Sequence, residues 1–331
     1  LIADRTSIGS IAEALGKTRF SAWKTFSNAV LEKPILGWGA ENQSIAFDRH
    51  YDPKMDYLVK SGQNWWDRAH NIFLDVALSY GIPFLVLYLI LFGYLFFRLQ
   101  KSKSINPERN IASHGIQALI LAYFTALIFG FDSVTTYIMI FFVVGYSLYL
   151  VSPGLNGTEN KGGGIMQFLY KKRIIIIAII LILTVWFLWR YAVKPMYVNA
   201  VINSAEKSGN CGYRLESMEK MLKLRSFIDP YLRLKYIEHI KSCSKYIERD
   251  EISYIKKAVD ALKEAVRIDP NYTRGWIILA QFNNTLFVME NDPQKKETLN
   301  KDNDYYIGMA KRLSPKRQEI YAAEAGIYFT R

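Results

Sequence analysis

Residues 65–92 read WWDRAHNIFLDVALSYGIPFLVLYLILF. A polar stretch holding Asp67, Arg68, His70 and Asn71 gives way to an apolar run that contains Asp75 and Gly81-Ile82-Pro83. The run approaches the roughly 20 residues that a bilayer core demands. Its glycine and proline offer a place to break it into a short interfacial helix and a true span. If the run crosses a membrane, the polar residues ahead of it stand at the membrane surface. The rest of the chain decides whether it does.

Three more runs resemble it. The expected spans are Ile82 to Phe97, with 72–80 as an extension or an interfacial piece, then Ile111 to Phe131, Thr135 to Val151 and Ile174 to Tyr191. Basic residues orient them. Arg98, Lys101, Lys103 and Arg109 follow the first run, and Lys161, Lys171, Lys172 and Arg173 cluster before the fourth. The short connection GFDSVTT at 130–136 has no Lys or Arg. Lys and Arg favour cytoplasmic loops, which puts both basic loops inside and residues 1–71 and 192–331 outside.

The 331 residues are 50% hydrophobic with a formal net charge of +12. In a membrane protein such a surplus belongs to loops and lipid headgroups, so no nucleic-acid partner is expected. No Cys/His spacing fits a metal site, and no metal or cofactor is expected. GTENKGGG at 157–164 lacks the phosphate-loop pattern and reads as a flexible linker. The chain starts at Leu1 without a signal peptide, and is expected to be the C-terminal part of a longer protein with further spans upstream.

Ahead of the first span, SIAEALGKTRFSAWKTFSNAVLEKP at 10–34 reads as a helix with an apolar stripe of Phe20, Trp23, Phe26 and Val30, ended by Pro34. PILGWGAENQ follows at 34–43. The ordered set Arg19, Trp23, Pro34, Gly37, Gly39, His70, Asn71 and Gly81 resembles the O-antigen ligase and polymerase family of bacterial membrane proteins. The resemblance covers roughly residues 15 to 150.

The resemblance implies a GT-C-like transferase with an extracytoplasmic site. It implies a glycan moved from undecaprenyl pyrophosphate to a lipid, glycan or protein acceptor, without a metal. Arginines would hold the pyrophosphate, and the histidine of the His-Asn pair would be the base. Arg19 is chosen by the motif and Arg68 by its proximity to His70. Arginine suits a pyrophosphate through its fixed fork of donors and permanent charge. Histidine is the commonest general base near neutral pH. Asp67 is expected to cap the helix that starts beside His70, whose N-terminus disfavours a charged imidazole. Asn71 is a candidate to orient a sugar or the imidazole. Trp65 and Trp66 have two open readings, an interfacial aromatic belt or sugar stacking. Asp75 is either a functional acid at depth or a near-surface residue. His50, His114 and His239 read as structural.

Residues 192–331 read as successive helices, with a domain boundary near Lys194-Pro195. Ala258, Ala261, Leu262, Ala265 and Val266 fall at helical spacing. Asp269-Pro270 and Ser314-Pro315 are expected to restart helices, Asp as N-cap and Pro at the first position. LRSFIDPYLRLKYIEH at 224–239 is a looser echo. The pattern resembles tetratricopeptide repeats, provided that MENDPQKKETLNKD at 289–302 is an insertion. Whether Cys211 and Cys243 pair stays open.

The expected organisation is all-α, with polytopic transmembrane helices and a soluble α-solenoid-like domain. Its parts are an outer loop (1–71), three spans (72–151), a cytoplasmic linker (152–173), a fourth span (174–191) and an extracytoplasmic helical domain (192–331). The expected function is a metal-independent lipid-linked glycan transferase, ligase or polymerase, of the bacterial inner membrane. Its expected partners are undecaprenyl-pyrophosphate-linked glycan, the acceptor and membrane lipids, with a protein for the helical repeats. The alternative is a membrane-anchored scaffold of envelope assembly.

Overall fold

The computed structural model describes residues 18–55, 65–101, 107–151, 173–243, 246 and 250–331, and every regular element among them is helical. The chain divides into two compact units, Leu1–Gly157 with Leu313–Gln318, and Thr158–Arg312 with Glu319–Arg331.

Unit 1 begins with α1, described over residues 18–32. Its buried face is Ala22, Phe26, Ala29 and Val30. Phe20, expected on that stripe, lies 61% exposed. Thr18, earlier still, is buried with Ala22, Thr25, Phe26 and Ala29, and Phe20 falls off that face of the helix. Helices α2 (Gln43–Arg49) and α3 (Ile72–Tyr80) close this core with Ala46, Phe47, Ala77 and Leu78. The other face of α3 packs Ile72 and Val76 on Leu127. Thus α3 joins the segments ahead of it to the long helices α4 (Ile82–Lys101), α5 (Pro107–Leu127) and α6 (Val134–Val151). The break expected at Gly81 is present. Gly81 has φ 85 and ψ 169, a region open essentially to glycine alone.

Helices α4 and α6 are long and apolar enough to cross a membrane, as is the helix over Ile177–Lys207. The expected second span, α5, has the length but not the apolarity. Its first turns carry Glu108, Arg109, Asn110, Ser113, His114 and Gln117. Those groups find partners in the bundle. The Gln117 amide donates to Phe96 O and Gln100 Oε1, Arg109 donates to Leu150 O, and Ser113 Oγ donates to Arg109 O. Tyr123 meets Tyr88 at one end of α5 while Arg109 meets Leu150 at the other. Helix α5 is therefore antiparallel to both neighbours, and α4 and α6 run in the same direction.

Unit 2 opens with α7 (Arg173–Leu188), a π-helical turn (Trp189–Val193) and α8 (Lys194–Lys207) in one continuous helix. The boundary expected at Lys194-Pro195 is not a break. Pro195 lacks an N–H and its ring crowds the preceding turn. The turn widens to absorb this, and Lys194 N–H reaches back five residues to Trp189 O. The linker at 157–164, with Lys103, Lys161, Lys171 and Lys172, lies outside the described residues.

Six further helices follow, α9 (Cys211–Lys223), α10 (Asp229–Ser242), α11 (Glu251–Ile268), α12 (Thr273–Met289), α13 (Pro293–Leu313) and α14 (Gln318–Thr330). The expected stripe on α11 is buried throughout, with Leu262 fully so. The Asp-Pro reading needs correction. Asp269 terminates α11, and α12 starts only at Thr273. Ser314-Pro315 likewise follows the end of α13, and α14 starts at Gln318. Proline here forbids continuation of the preceding helix instead of opening the next. Most of the segment 289–302 forms the first half of α13. Cys211 and Cys243 form a disulfide with Cα atoms 5.8 Å apart.

Candidate functional site

The start of α3 is held from several sides. Trp23 Nε1 donates to Ala69 O at 2.7 Å, tying α1 to the loop ahead of α3. Ala69 N–H donates to Asp75 Oδ1 at 2.8 Å. The N-cap is Asn71, not Asp67. Asn71 Oδ1 accepts from Phe73 and Leu74 N–H, while Asp67 stays exposed. Asn71 stands immediately before the first helical residue, where an Asx oxygen reaches the free amides.

The end of α3 is held by backbone. Trp38 N–H donates to Leu78 O at 2.6 Å, Gly39 N–H to Ser79 O at 3.1 Å, and Ile82 N–H to Pro34 O at 2.7 Å. The Pro34–Gly39 loop thus supplies the donors that the last carbonyls of α3 lack. A Cβ on Gly37 would overlap Leu78 O, and one on Gly81 would overlap Ile35 O. Gly37 and Gly81 are there because two backbones touch, and Gly39 because its φ of 92° favours glycine.

All but two of the motif positions are therefore engaged in holding this joint. The exceptions are Arg19 and His70. Arg19 lies one turn before Trp23 on α1 and makes no hydrogen bond or ion pair among the described residues. His70 adopts a left-handed φ of 52°. Its ring sits edge-on to Trp66 at 5.6 Å and to Phe131 at 5.0 Å between centroids. Of the four histidines, His70 alone has no hydrogen-bond partner among the described residues. His50 faces Glu32, His114 faces Gln117 and His239 faces Glu206. Burial pushes the His70 imidazole below its ordinary value; Asp67 opposes this, and the charges of Arg19 and Arg68 reinforce it. The surroundings thus favour the neutral imidazole, the form whose nitrogen can accept a proton.

The other candidates are differently placed. Arg68 Nη2 pairs with Glu41 at 2.7 Å, and its guanidinium lies over the Phe131 ring. Trp66 packs on Phe47 and His70, with its Nε1 buried and without a hydrogen-bond partner among the described residues. One face of Trp65 is covered by the Arg317 guanidinium at 3.7 Å, and Arg317 also pairs with Asp48. The structure brings Arg68 and His70 together on Phe131, with Trp66 against the His70 ring. It gives Trp65 to a cation and Asn71 to a helix cap.

Sequence reasoning missed Phe131 and the device that fixes its loop. Tyr88 OH meets Tyr123 OH, and Tyr123 OH donates to Asp132 Oδ2 at 2.7 Å, beside Phe131. The lone acid in the basic-free connection was the available signal. Among the described residues no group of His, Cys, Asp and Glu is arranged to hold a metal ion.

A family model described as O-Antigen ligase matches residues 4–89. That stretch contains every motif position from Arg19 to Gly81. The ComP-specific O-oligosaccharyltransferase of Acinetobacter baylyi (strain ATCC 33305 / BD413 / ADP1) is 26% identical over 161 residues, 48% of this chain. The match covers 26% of that relative, so this chain spans about a quarter of its length. No solved structure matches the chain.

Proposed function

We propose that the chain carries the proton-abstracting side of a lipid-linked glycan transferase on the outer face of a bacterial inner membrane. The observation that carries this reading is the contrast within the motif. Its other members hold the joint, while His70 and Arg19 make no hydrogen bond or ion pair among the described residues and stand within electrostatic reach of each other. The O-Antigen ligase match and the name of the oligosaccharyltransferase relative support the same class. In this reading a neutral His70 takes the proton of an acceptor hydroxyl. The hydroxyl oxygen bonds to the anomeric carbon as the bond from that carbon to the pyrophosphate oxygen breaks. Arg19 neutralises the departing undecaprenyl pyrophosphate. Trp66 and Phe131 offer aromatic walls to a sugar, and Arg68 is a reserve cation. Ligation and polymerisation use the same step and differ in the acceptor.

The topology supports this placement. Because α4 and α6 run in the same direction, the chain must recross the membrane between them, and α5 is the segment available. Its polar groups are met inside the bundle, the condition under which a bilayer tolerates them. The outer face then holds His70, and the Cys211–Cys243 disulfide fits an oxidising compartment for the helical unit.

The test is complementation of a strain lacking its surface polysaccharide, using the full-length protein. Arg19→Ala and His70→Ala should abolish the glycan at normal protein level. Normal glycan from both variants would overturn the reading in favour of a membrane-anchored scaffold.

A further inference from the structure

We infer that Asp75 is the positioning residue of this site, fixing the backbone that presents His70. The inference rests on His70 being the base and goes further, to what sets its geometry.

The Ala69 peptide groups are held from two helices. Asp75 Oδ1, one turn into α3, accepts the Ala69 N–H at 2.8 Å. Trp23 Nε1, from α1, donates to Ala69 O at 2.7 Å. Ala69 itself is fully buried. The next residue is His70, with φ at 52°, a conformation that a non-glycine side chain keeps only where its surroundings impose it. With Ala69 clamped and Asn71 fixed as the cap of α3, His70 is bracketed on both sides. Its ring direction follows from that bracket and from Trp66 and Phe131, since no hydrogen bond holds the ring among the described residues.

A helix cap alone would not need an acid here. Asn71 already caps α3, and Asp75 reaches beyond it. Asp75 also has a cost. It is 8% exposed, and its Oδ2 is buried with no hydrogen-bond partner among the described residues. Burial raises its carboxyl to about 6, against the Ala69 and Asn71 amide hydrogen bonds and the charge of Arg68. Asp67 also faces it, raising it further, and Tyr137 of α6 lies within electrostatic range. An ionised form that burial disfavours, retained at the point where it grips the base's backbone, is the pattern of stability yielded for function.

The sign follows directly. The folded value lies above the unfolded one of 3.8, so the folded state is weakened as pH rises through that window and stays weakened above about 6. Asn at this position cannot ionise, which removes that penalty at pH 8. It also replaces a charge-assisted hydrogen bond by a neutral one.

The experiment measures glycan transfer against pH in membranes carrying the full-length protein and their own lipid-linked glycan. The variants are Asp75→Asn, Asp75→Ala and His70→Gln, each also followed by thermal unfolding at pH 8. In the wild type, His70 and Asp75 both lose protons on the acid limb, and a neutral Asp75 slows transfer about tenfold, so the slope of log rate against pH exceeds one where the two titrate together. Asp75→Asn should lower the plateau about tenfold, reduce the slope to about one and raise the midpoint of unfolding; Asp75→Ala should lower the plateau about a hundredfold. A wild-type slope of one, an unchanged plateau in both Asp75 variants, or loss of activity that tracks loss of stability overturns the inference. Activity surviving in His70→Gln would instead overturn the base assignment, and the two failures are thereby distinct.

Discussion

The joint between the Pro34–Gly39 loop and α3 and the helices of residues 251–313 are both well packed, but by different means. In the second region side chains meet side chains. Leu262, Ala265, Ile277, Leu279 and Ala280 are buried at helical spacing, and Asn283 and Asn303 hydrogen-bond to each other at 2.8 Å within that core. In the first region backbone meets backbone. Loop amides serve the last carbonyls of α3, and glycines stand where a Cβ has no room. Side-chain packing loses energy in increments as atoms are removed. Backbone contact has no increments, since a single Cβ forces the two chains apart. A site that must hold one imidazole in one place is better built on the second kind.

That contrast can be broken most sharply at the site itself. His70→Ala should cut transfer by about 10²–10⁴-fold. Arg19→Ala should cut it by about 10²–10³-fold, the loss expected when a charge-stabilising donor is removed. Both should leave thermal unfolding close to wild type, because neither side chain holds the joint by a hydrogen bond or ion pair. With wild-type His70, the rate should fall as pH drops through a value below 6.5, since the lowered imidazole must be neutral to accept a proton. A midpoint above 6.5 would contradict the burial of the ring.

Gly81→Ala comes next, and it sharpens the contrast from the structural side. The substitution places a Cβ against Ile35 O at a φ of 85°, so a loss of about 3 kcal/mol or more is expected. In unit 2, Leu262→Ala removes a fully buried side chain and should cost about 2–5 kcal/mol. The two differ in rescue. A second, larger side chain facing the Leu262 cavity can recover stability, while no side-chain change can relieve Gly81→Ala. Chemical denaturation of the double variants measures this. Rescue of Gly81→Ala by enlarging or trimming a neighbour would dissolve the distinction.

The sequence makes the two regions legible to different degrees, for the same reason. Side-chain periodicity exposes the buried stripe of α11, the apolar α4 and α6, and the break before Ile82. It says little about backbone contacts between distant segments, so the purpose of Gly37, Gly39 and Gly81 emerged only with Leu78, Ser79 and Ile35 beside them. Proline was legible as punctuation but not in sense. Asp269-Pro270 and Ser314-Pro315 end helices, and Pro195 sits inside one because a π-helical turn makes room for it. At the candidate site, the ordered motif singles out His70 and Arg19. Asp75 was visible only as an acid at depth, because its partner is a backbone amide, which a sequence does not display. Phe131 was invisible because its contact with His70 spans 61 positions of chain.

Arg68 offers the smallest and most discriminating effect. It lies closer in sequence to His70 than Arg19 does, and its guanidinium stacks over the same Phe131 ring that the imidazole meets. Yet it is already paired, and its partner Glu41 is 75% exposed. An exposed ion pair of this kind contributes about 0–1 kcal/mol, so Arg68 can leave Glu41 at little cost. Arg68→Ala should therefore reduce transfer by less than about tenfold, whereas Arg19→Ala should reduce it far more. Glu41→Gln adds the complementary measurement. If Glu41 merely parks Arg68, freeing the guanidinium should leave the rate within about a factor of two to five, the span of a rim ion pair. If Arg68→Ala instead equals Arg19→Ala, the pyrophosphate is held by two cations. The Glu41 pair is then a latch that the substrate opens, and the joint would move during the reaction at the point where the present geometry makes it rigid.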